Sequence, residues 1–299
     1  MKLSTAFIGL GVMGYPMAGH LHNNGYDTRV FNRSTTKAEH WKQEFAGATA
    51  TSPREAATGA DVVFICVGND QDVRAVFFGP DGVLAGMHKG AILVDHTTTS
   101  ADLALSLASA CKEAGCFFLD APVSGGQAGA QNGKLTVMCG GDSETFHRVK
   151  PLMESYAQQI QLLGAAGQGQ RCKMVNQICI AGVLNGLSEA LLMAKAAGLD
   201  INQVVDTLKH GAAGSWQMEN RFITMAQGQF NFGFAIDWMR KDLAICLEQA
   251  QAYNIPLPMT QKVDSAYAEL QTQGFGRFDT SALVQSLNSQ INLGDLEGA

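Results

Sequence analysis

Lys173 and Asn176 stand three residues apart in "GQGQRCKMVNQ", a spacing that puts both on one face of a helix. Lys173 sits among Cys172, Met174 and Val175 at the start of the most apolar helical stretch in the chain. A lysine there either caps or snorkels, or is a partly desolvated ammonium with a lowered pKa and access to proton transfer. A second lysine, Lys241 in "WMRKDLAICLEQA", opens a similar helix with Asp242 beside it; alone, the pair reads as an ordinary surface Lys-Asp. Between "FFLDAP" and the next strand lies "VSGGQAGAQNG", where Ser124 Oγ and the main-chain N–H groups of Gly125 and Gly126 make either a small anion cup or a plain glycine turn. After "ILVD" comes "HTTTS", whose hydroxyls include Thr98 and also Ser100, placed to cap the following helix.

These residues need a scaffold, and the chain begins with one. "AFIGLGVMGYPMAGHL", Ala6 to Leu21, holds four glycines and no charge. An apolar run, Thr5 to Leu10, leads into Gly9, Gly11 and Gly14, and a helical pattern through Met17 and Leu21 follows; a second β-like run, "YDTRVFN", closes a βαβ unit at Asn32. Such a turn needs glycine for its backbone angles, and a large anion approaches main-chain N–H groups closely only where no Cβ intervenes. The context predicts a dinucleotide site on Gly9, Leu10, Gly11, Val12, Met13 and Gly14. Ligands of such sheets lie beyond the carboxyl ends of the strands, which adds Val67 at the end of "FICV" and Gly68 after it, and lets the hydroxyls of "HTTTS", Thr98 among them, reach toward the nicotinamide end.

The end of the second strand says which dinucleotide. An NAD site carries Asp or Glu there to hold the adenosine ribose. This chain has Asn32, then Arg33, Ser34, Thr35, Thr36 and Lys37: no carboxylate to repel a 2′-phosphate, and several donors to hold one. NADP is favoured, with NAD possible. The alternative is that Arg33 and Lys37 are only the solvated start of a helix.

With 299 residues, 46% hydrophobic and 16% charged, the chain can bury the cores of two ordinary domains. A net charge of -6 and the lack of any basic run argue against a nucleic-acid partner. The seven cysteines include no CxxC pair and no metal-like Cys/His grouping, so they read as reduced thiols of a cytoplasmic protein. Met1 leads almost directly into the first strand, leaving no room for a signal peptide. Cys172 to Lys195 is interrupted by Lys173, Asn176, Gln177, Asn185, Ser188 and Glu189, and reads as a buried helix, too polar for a membrane span.

Before residue 165, runs such as "DVVFICVG", "AILVDHT", "CFFLDAPV" and "KLTVMCGG" alternate with helical stretches such as Ser100 to Ala114, which implies a mostly parallel sheet with helices on both faces. After "LLGAAGQGQ" the strand signals stop and long helices take over, notably Arg171 to Ala197 and Ile236 to Tyr253. The expectation is an α/β Rossmann-type domain over 1–164 and an all-α domain over 165–299, joined by a long helix at about 171–197. The last stretch, "NLGDLEGA", reads as a loose tail.

Four segments, "FIGLGVMGYPMAGHL", "DAPVSGGQAGAQNGKLTVMCGG", "GQGQRCKMVNQ" and "KDLAICLEQA", together resemble the β-hydroxyacid dehydrogenase family, which includes 3-hydroxyisobutyrate dehydrogenases and tartronate semialdehyde, glyoxylate and succinic semialdehyde reductases. The resemblance runs nearly end to end. It implies a homodimer or homotetramer. It also implies that Lys173 is the catalytic lysine, that Asn176 contacts substrate, and that Ser124, Gly125 and Gly126 hold the substrate carboxylate. Thr98 is then near the nicotinamide, and Lys241 is close to both cofactor and substrate. "NRSTTK" matches the NADP-type loop of the semialdehyde reductases. His96 departs from the family, many members of which carry Cys or Ser there.

On that footing the chemistry is hydride transfer between NADP(H) and a small carboxylate-bearing semialdehyde or β-hydroxyacid. Lys173 polarises the carbonyl and delivers the proton, and no metal is required. Side chains that select the substrate are expected in "GAAGSWQMENR" and in Phe230 to Asp237. The competing readings are an NAD-dependent 3-hydroxyisobutyrate or serine-type dehydrogenase, an imine reductase, and a non-catalytic binding protein on the same fold.

Overall fold

In the computed structural model, residues 3–288 are described. The chain forms two compact units that divide between Lys173 and Met174. The first runs β1 (Ser4–Ile8), α1 (Gly14–Asn23), β2 (Asp27–Phe31), α2 (Thr35–Phe45), β3 (Ala48–Thr49), α3 (Pro53–Ala57), β4 (Val62–Ile65), α4 (Asp70–Phe77), α5 (Val83–Gly86) and β5 (Ile92–Asp95). It continues α6 (Ala101–Glu113), β6 (Phe117–Asp120), β7 (Val123–Ser124), α7 (Gly126–Gln131), β8 (Leu135–Gly141), α8 (Ser143–Met153) and β9 (Ala157–Leu162). Helix α9 (Gln168–Ala196) begins in this unit and continues into the second, which adds α10 (Ile201–Leu208), α11 (Trp216–Ala226), α12 (Ile236–Ala252), α13 (Pro258–Thr272) and α14 (Leu283–Asn288).

The sheet runs β3-β2-β1-β4-β5-β6-β8-β7, with β9 on β8. The first six strands are parallel neighbours in the doubly wound order, and β8 joins β6 antiparallel. Strand order reverses between β1 and β4, so the loops after these strands flank the crevice where such sheets take ligands. Successive strand residues face opposite layers: Phe7, Phe64 and Val94 pack with Met17, Leu21 and Trp41, while Ala6, Ile8, Val63 and Leu93 pack with Phe77, Leu103 and Leu107. Both faces are buried, which is why these strands read as continuous apolar runs. Strand β9 carries no apolar run or clean alternation to mark it in the sequence: Gln158, Gln159 and Gln161 are exposed.

The second unit is helical, as expected, with a core that includes Leu184, Leu187, Phe222, Met239, Leu243 and Tyr267. One expectation is corrected. By length and average composition α9 is apolar enough to cross a membrane, so the expectation that its scattered polar residues exclude a span does not hold. Within the helix, Gln170 and Gln177 are buried with hydrogen-bond partners on other segments, Thr97 and Asp242. The stretch "NLGDLEGA" lies outside the described residues.

Candidate active site

Three glycines of the first turn have three different reasons. A Cβ at Gly9, which has φ +98°, would collide with the Cys66 carbonyl, and one at Gly14 would collide with the Gly9 carbonyl. These two let β4 and α1 close on the turn. A Cβ at Gly11 would meet no protein atom within 4 Å. The protein's own packing therefore leaves glycine at 11 unexplained, whereas the approach of a ligand explains it. Leu10 is buried, Val12 is 51% exposed, and no side chain caps α1, whose N-cap residue is Met13. The residues present thus fit a dinucleotide pyrophosphate at a helix N-terminus.

Asn32 does more than omit a carboxylate. Its Oδ1 accepts from Leu10 N at 2.9 Å and its Nδ2 donates to the Ser34 carbonyl at 3.1 Å, tying the glycine turn to the loop that carries Arg33. Sequence reasoning missed this buttress, since its partner lies 22 residues away. Arg33 is fully projected, 93% exposed, with only a loose ion pair to Asp72 at 3.9 Å. Ser34 and Lys37 are exposed, and Ser34 makes no side-chain cap on α2. A groove of about 380 Å³ beside the turn is lined in part by Gly11, Val12, Thr36, Lys37 and His40.

The loops after β4 and β5 are bound together. Val67 N donates to Thr97 Oγ1 at 3.1 Å, with Gly68 half-buried next to it. Thr97 and Thr99 are buried and Thr98 between them is half-exposed, which singles Thr98 out as the accessible hydroxyl. Ser100 caps α6 by accepting from Leu103 N at 3.1 Å, and its hydroxyl donates to Asp70 Oδ2 at 2.5 Å. His96 is buried and stacked on Phe64; its ring nitrogens meet the Ala121 carbonyl at 2.6 Å and Tyr156 Oη at 2.8 Å. A neutral ring satisfies both, donating at Nδ1 and accepting at Nε2, and burial holds its pKa down at about 4. His96 is therefore a packing residue. Asp95, also buried, is pushed up to about 7 by desolvation, and its Oδ2 has no hydrogen-bond partner among the described residues.

Ser124 ends β7, and Gly125 and Gly126 follow with φ +130° and +61°, angles that strain any L side chain. The glycines are thus required by the turn itself. No side chain caps α7 after them.

Lys173 is 6% exposed, so the burial that separates a buried ammonium from an ordinary surface lysine is present. Asn176 lies one turn further along α9. In the second unit, Asn176 Nδ2 donates to Gln177 Oε1 at 2.7 Å, Gln177 Nε2 donates to Asp242 Oδ2 at 2.6 Å, and Lys241 Nζ pairs with Asp242 Oδ1 at 2.9 Å. The structure joins Asn176 and Lys241 through a buried carboxylate, so Lys241-Asp242 is no surface pair. The two segments expected to select substrate also meet: Arg221 stacks on Trp216 and on Phe232, with 5.0 and 4.2 Å to the ring centres, and its Nε reaches Asp279 at 3.3 Å.

Comparison with known proteins decides the family. Residues 4–164 match the NAD binding domain of 6-phosphogluconate dehydrogenase, and residues 167–287 match the NAD-binding domain of NADP-dependent 3-hydroxyisobutyrate dehydrogenase. The chain belongs to the 3-hydroxyisobutyrate dehydrogenase family. It is 40% identical over 288 residues to a probable 3-hydroxyisobutyrate dehydrogenase-like protein of Arabidopsis thaliana, covering 96% of this chain and 86% of the relative. It is 37% identical over 292 residues to the 2-hydroxy-3-oxopropionate reductase of Escherichia coli, covering 98% and 99%. A solved 3-hydroxyisobutyrate dehydrogenase of Mycobacterium tuberculosis, studied with L-serine, superposes with a TM-score of 0.86 at 30% identity over 96% of this chain and 99% of that one. This member of the 3-hydroxyisobutyrate dehydrogenase family is accordingly an NAD(P)-dependent hydroxyacid dehydrogenase.

Proposed function

We propose that the protein moves a hydride between NADP(H) and a small semialdehyde or β-hydroxyacid bearing a carboxylate, with Lys173 as general acid and base. The observation that carries this reading is the burial of Lys173, 6% exposed beside Cys172, Met174 and Val175 on α9, where a protein that only binds has no use for an ammonium. The dinucleotide would be held by the Gly9–Gly14 turn and by Arg33, Ser34 and Lys37, and it supplies the hydride when bound. Lys173 polarises the substrate carbonyl and protonates its oxygen as the alcohol forms; in the reverse direction it takes that proton back. Ser124 Oγ with the main chain of Gly125 and Gly126 receives the carboxylate, a role that needs a donor and a backbone free of Cβ. On the resemblance, Asn176 is the substrate-contacting asparagine and Lys241, whose ammonium is held by Asp242, is the lysine that serves cofactor and substrate. We further place the protein in the cytoplasm as a homodimer or homotetramer, on the cysteine reading and the resemblance respectively.

Lys173→Ala tests the acid. Turnover should fall by roughly 10²–10⁴ while NADPH binding, followed by its fluorescence, stays near the parent value. A variant that keeps most of its turnover removes Lys173 from the mechanism. NADPH consumption with succinic semialdehyde, butyraldehyde and a cyclic imine tests the substrate class. The lost charge-assisted bonds, about 1.5–3 kcal/mol each, should make butyraldehyde a poor substrate. Equal efficiency with the two aldehydes, or a preference for the imine, overturns the assignment.

A further inference from the structure

Asp120, the last residue of β6, is wholly buried, and it spends both carboxylate oxygens on another segment of chain. Oδ1 accepts from Gly167 N at 2.7 Å and Oδ2 from Gln170 N at 2.8 Å. Those N–H groups lie at the start of α9, where no helical carbonyl can serve them. Three glycines make the approach possible. A Cβ at Gly169 would collide with the Met138 carbonyl and press on Asp120, one at Gly140 would press on Asp120 and on Gly169 N, and Gly167 has φ +86°.

Gln170, also fully buried, continues the connection in the other direction. Its Nε2 donates to the Thr97 carbonyl at 2.8 Å and its Oε1 accepts from Thr99 N at 3.1 Å, so one side-chain amide brackets Thr98 from both sides. Lys173 follows Gln170 by three residues, close to one helical turn. The same two side chains therefore touch the start of the lysine's helix, the end of β6 and the loop that presents Thr98.

We propose that Asp120 and Gln170 form a buried clamp that fixes Lys173 relative to Thr98, making them positioning residues for proton delivery. The inference rests on Lys173 being the acid. Charge-assisted bonds to a helix end hold it more firmly than neutral ones, and a displacement of 1 Å in a catalytic group can cost about 10²-fold in rate. The carboxylate is retained at a cost. Burial pushes Asp120 up to about 6 although main-chain N–H groups at Gly167, Gly169 and Gln170 pull the other way. An acid kept there costs stability and gives geometry.

The test uses the near-isosteric variants Asp120→Asn and Gln170→Glu, each made in the parent and in Lys173→Ala. Asp120→Asn turns one acceptor into a donor facing an N–H, and Gln170→Glu sets an oxygen against the Thr97 carbonyl. Turnover per folded molecule should fall about 10–100-fold in the parent, with substrate KM and NADPH affinity within about threefold. In the Lys173→Ala background the same substitutions should lower the residual rate by less than about threefold, because the group they position is gone. Parent turnover within about threefold, or equal losses in both backgrounds, overturns the clamp. Either variant suffices if the other does not fold. A Lys173→Ala enzyme that is itself fully active overturns the acid assignment and the clamp with it, whereas a crippled Lys173→Ala beside active clamp variants overturns the clamp alone.

Discussion

Gln177 donates to Asp242 across 2.6 Å between α9 and α12, and that bond makes Asp242 the hub on which Asn176 and Lys241 both depend. Gln177 is fully buried and Asp242 nearly so. Gln177→Leu leaves the carboxylate short of a donor and Asn176 without its acceptor. We expect a stability loss of about 1.5–3 kcal/mol by urea unfolding, together with a raised KM for the carboxylate substrate. A variant as stable as the parent would show that the hub contributes nothing.

The first-turn glycines predict opposite outcomes for similar substitutions. Gly11→Ala should leave the unfolding midpoint unchanged, since nothing stands near the new methyl, and should weaken NADPH and NADH alike because both share the pyrophosphate. Gly14→Ala should destabilise the fold through its collision with the Gly9 carbonyl. Thermal unfolding and coenzyme titration separate the two. Intact coenzyme binding in Gly11→Ala would remove the pyrophosphate from this turn.

Coenzyme choice is expected to rest on Arg33. It is 93% exposed and only loosely paired with Asp72, so a phosphate gains its planar donor fork at little cost. NADPH should be preferred over NADH, and Arg33→Ala should weaken NADPH by about 1.5–3 kcal/mol with little effect on NADH. Steady-state kinetics with both coenzymes decide the matter; an equal loss with each means that Arg33 is merely a surface charge.

Asp95 and His96, neighbours at the end of β5, impose opposite pH slopes on stability. Burial raises Asp95 from 3.8 to about 7, so between those values the folded state binds more protons than the unfolded state and stability falls as pH rises. Burial lowers His96 from 6.5 to about 4, so over that window the unfolded state binds more protons and stability rises with pH. Asp95→Asn should therefore make urea stability climb more steeply from about pH 4.5 to about pH 7, and His96→Phe should make it climb less. Unchanged slopes in both variants would mean that neither group titrates as its burial dictates.

Much of this protein is local and so could be read before any coordinates. Strand β1, the glycine turn and α1 follow from an apolar run, three glycines and a helical period within about twenty residues, and Ser100 was legible as a cap because its partner Leu103 is three residues on. Lys173, Asn176, Ser124 and Lys241 are picked out by the four-segment resemblance to a family, since by residue type and spacing alone each also reads as an ordinary structural residue. What they touch was not legible. Asn32 meets Leu10 over 22 positions, Asp120 meets Gly167 over 47, His96 meets Tyr156 over 60, and Gln177 meets Asp242 over 65. Nothing local distinguishes Asp242 from a solvated carboxylate or Gln170 from a surface amide. Their roles follow from burial, which removes water as the competing partner, and burial is decided by which distant segments the sheet and helices bring against them.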